Sequence, residues 1–573
     1  MTTGHPGDTS ATTAGGASAS AFRTVHEAFA DACLRYPSRS FLHIPAQATA
    51  GYGGLPVDWT YQGAGERVSA LQAALRAAGV QRGHRVALML DNREEFFLYW
   101  LALNALGASI VPLNGEASAE ESAHILRDSG AALAIALDSR RAALAGALAL
   151  VDAAPPVHWV SGDDTPVPAP NSTANASASA DECALVYTSG STGAPKGCML
   201  SNGYMLAFGR WYTSLGGLCA LEPGVERLIT PLPLVHMNAL ACSSMAMILC
   251  GGCIIQLDRF HPGSWWEAVQ QSRATVLHYL GVMPAMLLQL APDEQDGRHA
   301  VKFGFGAGVH PKHHAAFEAR FGFPLVESWS MSEVGAGGAI IANVEPRHVG
   351  TRCFGKASPA VECRIVDETG ADVPAGSAGE LWVRAAGDDP RAGFFSGYAN
   401  QPALTEEAWA GGYFHTGDIV RQGPDGAFHF VDRKKSIIRR SGENIASLEI
   451  EAVLNQLPMV RAVGVGPVDD ELRGEEVMAC IELAPGHAPS RELALEIFDA
   501  ARERLAYFKL PGYIAFVPAL PLTASQKLQR GVLKEVARRL VEEGSAFDLR
   551  SRKKRPAHTA QVAQAADEAR AAQ

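Results

Sequence analysis

Disulfide, membrane and nucleic-acid chemistry all find little to work with in this sequence. Ten cysteines are scattered over 573 residues, which builds no disulfide framework. The one close pair, Cys250-Gly-Gly-Cys253, sits in an apolar run without the two further ligands a zinc site needs. Buried structural thiols are the expectation there, with a redox or metal role as the alternative. Positive charge is in deficit. Charged residues make up 19% of the chain and the formal net charge is −11, so nucleic acid is not the expected partner. The Arg552-Lys-Lys-Arg555 cluster reads as part of a solvated tail. Long uninterrupted apolar runs are missing. The most apolar stretch, Leu234 to Leu257, is broken by His236, Asn238, Ser243, Ser244 and a glycine pair. That pattern predicts a buried helix and strand and no transmembrane segment. The first twenty residues are rich in Ser, Thr, Gly and Ala without the apolar core of a secretory signal. The cytoplasm is the expected location. No internal repeat is visible.

Apolar side chains, at 47%, are abundant enough for large cores, and the length calls for more than one domain. The early half alternates strand and helix signals. Arg85–Leu90 reads as a buried strand, Glu94–Leu106 as a helix stopped by Gly107, and Ala108–Leu113 as the next strand. A helix near Glu120–Asp128 and a strand over Ala131–Leu137 follow. Such alternation predicts an α/β fold of parallel sheet layered with helices. From Gly355 to Val431, short strands such as Ala360–Val366, Gly379–Arg384 and Ala427–Val431 lie between Gly, Pro and Asp turns, which predicts a β-rich subdomain. Beyond Asp432 a compact α+β pattern begins. Helices are expected at Glu449–Gln456 and Arg491–Leu505, and strands at Ala462–Val465, Val477–Leu483 and Tyr513–Val517. The expected division is a tail over 1–22, a large domain over 23–432, a hinge at 433–436, a small mobile domain over 437–548 and a second tail over 549–573.

The segment Tyr187-Thr-Ser-Gly-Ser-Thr-Gly-Ala-Pro-Lys-Gly197 follows the strand-like run Cys183-Ala-Leu-Val186. Three glycines let backbone approach phosphate oxygens closely, and four Ser or Thr hydroxyls and a lysine add donors and positive charge. The classical phosphate-loop pattern does not apply. Gly190 and Gly193 are separated by two residues where that pattern needs four, and Gly197 follows Lys196 where it needs Ser or Thr. Taken alone, the loop could equally be a surface turn.

Further segments occur in a fixed order: Pro231-Leu-Pro-Leu-Val-His-Met-Asn238, Gly304-Phe-Gly-Ala-Gly308, Glu327-Ser-Trp-Ser-Met-Ser-Glu333, Tyr413-Phe-His-Thr-Gly-Asp418, Asp432 to Ile450, and Pro521-Leu-Thr-Ala-Ser-Gln-Lys-Leu-Gln-Arg530. With the opening loop, this series resembles the adenylate-forming superfamily of acyl-CoA synthetases, peptide-synthetase adenylation domains and firefly luciferases. The resemblance runs from about residue 25 to 540. The stretch Val431 to Ile445 looks nearest to carnitine/crotonobetaine-type and related bacterial ligases.

The resemblance implies ATP-dependent activation of a small carboxylic acid to an acyl-adenylate, with pyrophosphate released, followed by thioester formation with CoA. Both first reactants are anions. Unit charges about 4 Å apart repel by roughly 1 kcal/mol in water and about 4 kcal/mol at an effective dielectric near 20, so the site must supply countercharge. In family terms Thr188, Ser189, Gly190, Ser191, Thr192, Gly193 and Lys196 hold phosphates, Ser332 hydrogen-bonds phosphate, and Glu333 helps hold Mg²⁺. Gly306, Ala307, Gly308 and Trp329 line the adenine and acyl sites, Asp418 binds the ribose hydroxyls, and Arg433 meets ribose or phosphate. His236 gates the acyl pocket. Lys527 is the implied catalytic lysine for adenylation. Rotation about Lys435–Ser436 withdraws it and presents Arg439, Gly442 and Asn444 to the adenylate and the thiol. Each residue also has a plain reading: Glu333 a loop acid, Asp418 and Gly442 turn residues, Arg433 a salt-bridge partner, His236 a core histidine, Lys527 a surface lysine.

The chain departs from the pattern in places. Trp329 stands where tyrosine is common, Ser328 and Ser330 where glycine often lines the acyl channel, and Ser436 where aspartate marks the hinge. Arg439 replaces a frequent lysine, Asn444 a frequent glutamine, and Gln526 the glycine before the late lysine. Asn238 is polar where a long alkyl chain wants apolar walls, so a short, medium or polar acid is expected. Amino-acid or other acid adenylation without CoA, and an inactive ligand-binding homologue, remain as alternatives.

Overall fold

The computed structural model describes residues 22–160, 166–171, 181–188, 195–309, 311–367, 369–433, 437–521, 528 and 530–553. Two sheets form the body of the large domain. In one, seven strands run in the order Gly397–Tyr398, Lys196–Ser201, Glu182–Thr188, Ser109–Pro112, Arg85–Met89, Leu133–Leu137, Val157–Val160. The other has eight: Ile340–Ile341, Leu325–Trp329, Phe303–Ala307, Val276–Leu280, Arg227–Thr230, Cys253–Gln256, Ser40–Ile44, Val57–Thr60. The cores of both are parallel, as the alternation predicts, but both edges of the eight-stranded sheet and the Gly397–Tyr398 edge of the seven-stranded one are antiparallel. The helix Glu94–Ala105 is apolar all round and carries the buried Phe96, Phe97 and Trp100. One continuous core joins both sheets to the subdomain strands Ala378–Ala385, Phe414–Gln422 and Phe428–Arg433. Those strands, with Cys353–Gly355 and Val361–Val366, make an antiparallel five-stranded sheet.

The small domain is α+β. Its long hairpin, Val460–Asp470 with Gly474–Leu483, is flanked by Ile437–Arg440 paired with Glu443–Ala446 and by Tyr513–Phe516. The helices Ser447–Leu454, Arg491–Arg502 and Arg530–Glu542 complete it. Its apolar residues form clusters of their own.

Ordered packing runs past the expected boundaries. Phe22 packs against the large core. Leu549 is buried and the Lys553 side chain is fully buried on Glu476, unlike the solvated cluster expected there, while Ser551 and Arg552 between them are exposed. Glu476 also accepts Arg440 Nε at 2.8 Å, and this buried carboxylate draws the lysine inward. The Cys250 and Cys253 thiols are buried, and burial pushes Cys250 up to about 12. No described helix is long and apolar enough to cross a membrane.

Candidate active site

Thr188, Leu280, Ala307 and Trp329 each end a strand. Ligands in α/β proteins bind at such carboxyl ends. The strands on either side of the glycine-rich segment pair antiparallel, with Thr188 opposite Lys196. Ser189, Gly190, Ser191, Thr192 and Gly193 lie outside the described residues. The hairpin base is held by a fully buried ion pair, Arg85 Nη2 to Glu182 Oε2 at 2.7 Å, and Arg85 also donates to the Ser129 carbonyl. Tyr187 donates to Asp128 at 2.7 Å.

Lys196 is buried with its ammonium 5.4 Å from the centre of the Tyr398 ring. Tyr398 in turn donates its hydroxyl to Glu333 Oε1 at 3.0 Å. A cation, an aromatic face and a carboxylate therefore stand in one row. Burial first, and then Glu333, push the Tyr398 phenol far above its ordinary range, so it stays a donor. Ser332 is half-buried beside Glu333, and its carbonyl accepts from Tyr204 at 3.0 Å. Ser330 donates to the Gly335 carbonyl at 2.7 Å.

Four residues before Glu333, the indole N–H of Trp329 donates to Asp418 Oδ2 at 2.9 Å. Both side chains are buried. Asp418 lies in the strand Phe414–Gln422 directly across from Arg433, the last described residue before the expected hinge. Thr416 and Glu380 hold the turn before Asp418, and Gly417 takes φ +68° there.

Ala307 and Gly308 are exposed, while Gly306 is buried. A Cβ on Gly306 would lie 2.3 Å from the Tyr279 carbonyl, so the close strand packing requires glycine. Glu327 braces this turn by accepting from the backbone N–H of Val309 at 2.9 Å. Burial pushes Glu327 up to about 7. Sequence reading did not single it out, nor Tyr398; a charged residue in the middle of a buried strand was the available signal for Glu327.

The small domain reaches this cleft through its hairpin Ile437–Arg440/Glu443–Ala446, in which Arg439 pairs with Asn444. Gly442 has φ +88°, and a Cβ there would lie 2.1 Å from Leu280 Cδ1. Glu443 Oε2 stands 3.8 Å from His236 Nε2. The Arg439 guanidinium lies over the Phe430 ring at 5.0 Å. Lys527 lies outside the described residues; beyond it, Leu528 packs in a small-domain cluster and Arg530 is paired with Glu451 at 2.6 Å. The structure thus brings Lys196 to Glu333 through Tyr398 and Trp329 to Asp418, the two sets four residues apart at Trp329 and Glu333, and His236 to the Gly442 hairpin.

Among the described residues, no three His, Cys, Asp or Glu side chains form a metal cage. A buried carboxylate close to a buried lysine, as Glu333 is to Lys196 through Tyr398, suits Mg²⁺ bound with phosphate, since the ion keeps waters and takes phosphate oxygens as its other ligands. The exposed Ala307-Gly308 backbone and the buried Asp418 likewise fit a nucleoside phosphate.

A family model described as AMP-binding enzyme matches residues 29–398, and one described as AMP-binding enzyme C-terminal domain matches residues 449–527. The crotonobetaine/carnitine–CoA ligase of Citrobacter koseri is 29% identical over 500 residues, covering 84% of this chain and 94% of that protein. Its counterpart from Escherichia coli O45:K1 is 28% identical over 508 residues, 86% of this chain and 96% of that protein. Among solved structures, the amide bond synthetase McbA of Marinactinospora thermotolerans superposes with TM-score 0.74 at 25% identity, over 89% of this chain and 99% of that one. A malonyl-CoA ligase complex with methylmalonyl-CoA and AMP bound gives TM-score 0.67 at 26% identity, over 84% of this chain and 96% of that one.

Proposed function

Because the chain belongs to the AMP-binding enzyme family, the adenylate-forming ligases, we propose that it joins a small carboxylic acid to AMP using ATP and then passes the acyl group to the thiol of CoA. In the first step a carboxylate oxygen bonds to the α-phosphorus and pyrophosphate leaves. In the second, sulfur bonds to the acyl carbon, AMP leaves, and the thiol proton goes to solvent.

The observation that supports this reading most is the row Lys196–Tyr398–Glu333 continued by Trp329–Asp418. It supplies a buried cation and carboxylate suited to phosphate and metal, and a second buried carboxylate suited to ribose hydroxyls. Lys196, with the segment Thr188–Gly193, holds the outer phosphates, and Ser332 adds a donor. Glu333 is the ligand for Mg²⁺, which when bound neutralises phosphate charge. Asp418 receives the ribose hydroxyls, Arg433 meets ribose or phosphate, and Gly306–Gly308 with Trp329 flank the base. Lys527 stabilises the charge that develops during adenylation. The docked Gly442 hairpin, with Arg439 and Asn444, corresponds to the thioester step, in which CoA enters beside His236. Separation of two steps by domain rotation is an established device. The reaction belongs in the cytoplasm, where ATP and CoA are at hand. The acid is short, medium or polar, in keeping with the carnitine and crotonobetaine named for its relatives.

The test is isotope exchange between pyrophosphate and ATP. Exchange is expected to depend on an added acid, and AMP release to depend further on CoA. Lys527→Ala is expected to abolish exchange while transfer from a preformed acyl-adenylate survives; equal loss of both halves would make the lysine structural. A nitrogen acceptor is the second reading, favoured by the likeness to an amide bond synthetase. Amide formation from acid, amine and ATP without CoA, at a rate above thioester formation, would establish it.

A further inference from the structure

Three short segments surface at the cleft floor while their neighbours are buried. Val235–Asn238, Leu280–Val282 and Ala307–Gly308 are half-buried or exposed, whereas Leu234, Ala239, Tyr279 and Gly306 are buried. Asn238 is the polar side chain on this floor that begins a π-helical turn, Asn238–Ser243, one residue past Met237 and two past His236. Directly behind it is His278, fully buried in the strand Val276–Leu280. Its Nδ1 is 2.9 Å from both Asn238 Oδ1 and Ser243 Oγ, and its Nε2 is 3.0 Å from the Tyr212 hydroxyl. Ser243 donates its own proton to the Asn238 carbonyl at 3.1 Å.

Counting donors orients this network. Tyr212 is fully buried and has one O–H to place. If His278 carries its proton on Nε2, the tyrosine proton has no acceptor among the described residues. If the proton is on Nδ1, Tyr212 donates to Nε2, Ser243 to the Asn238 carbonyl, and Nδ1–H to Asn238 Oδ1 and Ser243 Oγ. Every buried donor is then used, and an orphaned one is what folding avoids. Burial also holds His278 neutral, down to about 3. The Asn238 amide is therefore turned with its oxygen inward to His278 and its two N–H groups outward to the cleft. Among the described residues these N–H groups have no partner.

We propose that the acid carries a neutral hydrogen-bond acceptor, an oxo or hydroxyl oxygen close to its carboxylate, and that Asn238 is the residue that selects it. This rests on the reading that the cleft activates a carboxylic acid. A second carboxylate is a poorer match than a neutral oxygen, because the Asn238 amide offers hydrogen bonds but no charge to offset its desolvation. A plain alkyl chain strips water from the amide and returns no hydrogen bond, which is where discrimination arises.

Matched acids test this in the exchange assay: butanoate against 3-oxobutanoate and 3-hydroxybutanoate, hexanoate against its 3-, 4- and 5-oxo and hydroxy forms, and butanedioate as the anionic case. The acceptor-bearing partner is expected to win in kcat/KM by about tenfold or more, the scale of one well-placed hydrogen bond. Asn238→Leu should bring that ratio close to one. Tyr212→Phe, which frees the tautomer of His278, should reduce the ratio while KM for ATP stays put, an outcome a merely structural role does not produce. Equal use of both partners by the parent enzyme, a preference for butanedioate, or a ratio untouched by Asn238→Leu would overturn the inference and leave the ligase reading standing. Exchange with no acid at all, in protein that binds ATP, would overturn the reading and the inference together.

Discussion

Trp329 occupies a place where an aromatic face suffices, yet its indole N–H is committed to Asp418. A hydrogen bond to a buried carboxylate contributes about 1.5–3 kcal/mol, so its loss is felt as roughly tenfold or more in affinity. Trp329→Phe keeps the ring and removes the donor. It is expected to raise KM for ATP about tenfold in the exchange assay with little change in kcat; an unchanged KM would mean that Asp418 needs no such brace. Glu327 offers a pH handle. Its carboxyl ionises at about 7 in the folded chain because burial penalises the charge, against about 4.3 when unfolded. The folded state therefore holds an extra proton between these values, and stability falls as pH rises through that window. Glu327→Gln can still accept from Val309 and should flatten the fall. Thermal midpoints of the two proteins from pH 5 to 8 check this, and parallel curves would remove Glu327 as the cause.

The docked hairpin places an element of the small domain against a strand end of the large one, and glycine makes the fit. Gly442→Val adds bulk where a single Cβ already lies 2.1 Å from Leu280, at a φ of +88° that valine resists. Thioester formation is expected to drop by about tenfold or more while exchange persists, and Leu280→Ala in the same chain should restore part of it, as contacting residues couple. Equal loss of both steps would show that the hairpin is not confined to the second. Elements of this kind were legible in the sequence to different depths. The strand–helix alternation from Arg85 to Leu137 shows its period openly, and the observed elements fall within a few residues of it. The glycine-rich segment was visible through its glycines, but not that a second strand, Lys196–Ser201, runs back antiparallel, because Cys198-Met-Leu200 is too short a run to declare itself. Trp329 and Asp418, 89 residues apart, and Tyr398 and Glu333, 65 apart, are joined only by the fold. Lys553 read as a tail charge because no local pattern reveals the buried Glu476 that receives it.

At the scale of the molecule, an ionic clasp holds the two domains in the arrangement seen. Lys509 reaches both Glu121 of the large domain and Glu449 of its own, the latter at 2.7 Å, and all three are largely buried. Arg504 lies 3.7 Å from Glu120 on the same helix. Removing one partner of a buried pair leaves an uncompensated charge and costs about 3–5 kcal/mol. Lys509→Met should therefore loosen this docking and slow CoA-dependent AMP release more than exchange; slowing both alike would make the clasp a matter of folding alone. The central claim, that one cleft fuses an acid to AMP and then yields the product to a thiol, is tested most directly by a single turnover with ATP labelled at the α-phosphate and an acid that supports exchange. Without CoA the label is predicted to appear as acyl-adenylate bound to the protein, and on adding CoA to leave as AMP in step with thioester. Label recovered as ADP, or AMP formed at the same rate without any acid, would contradict it.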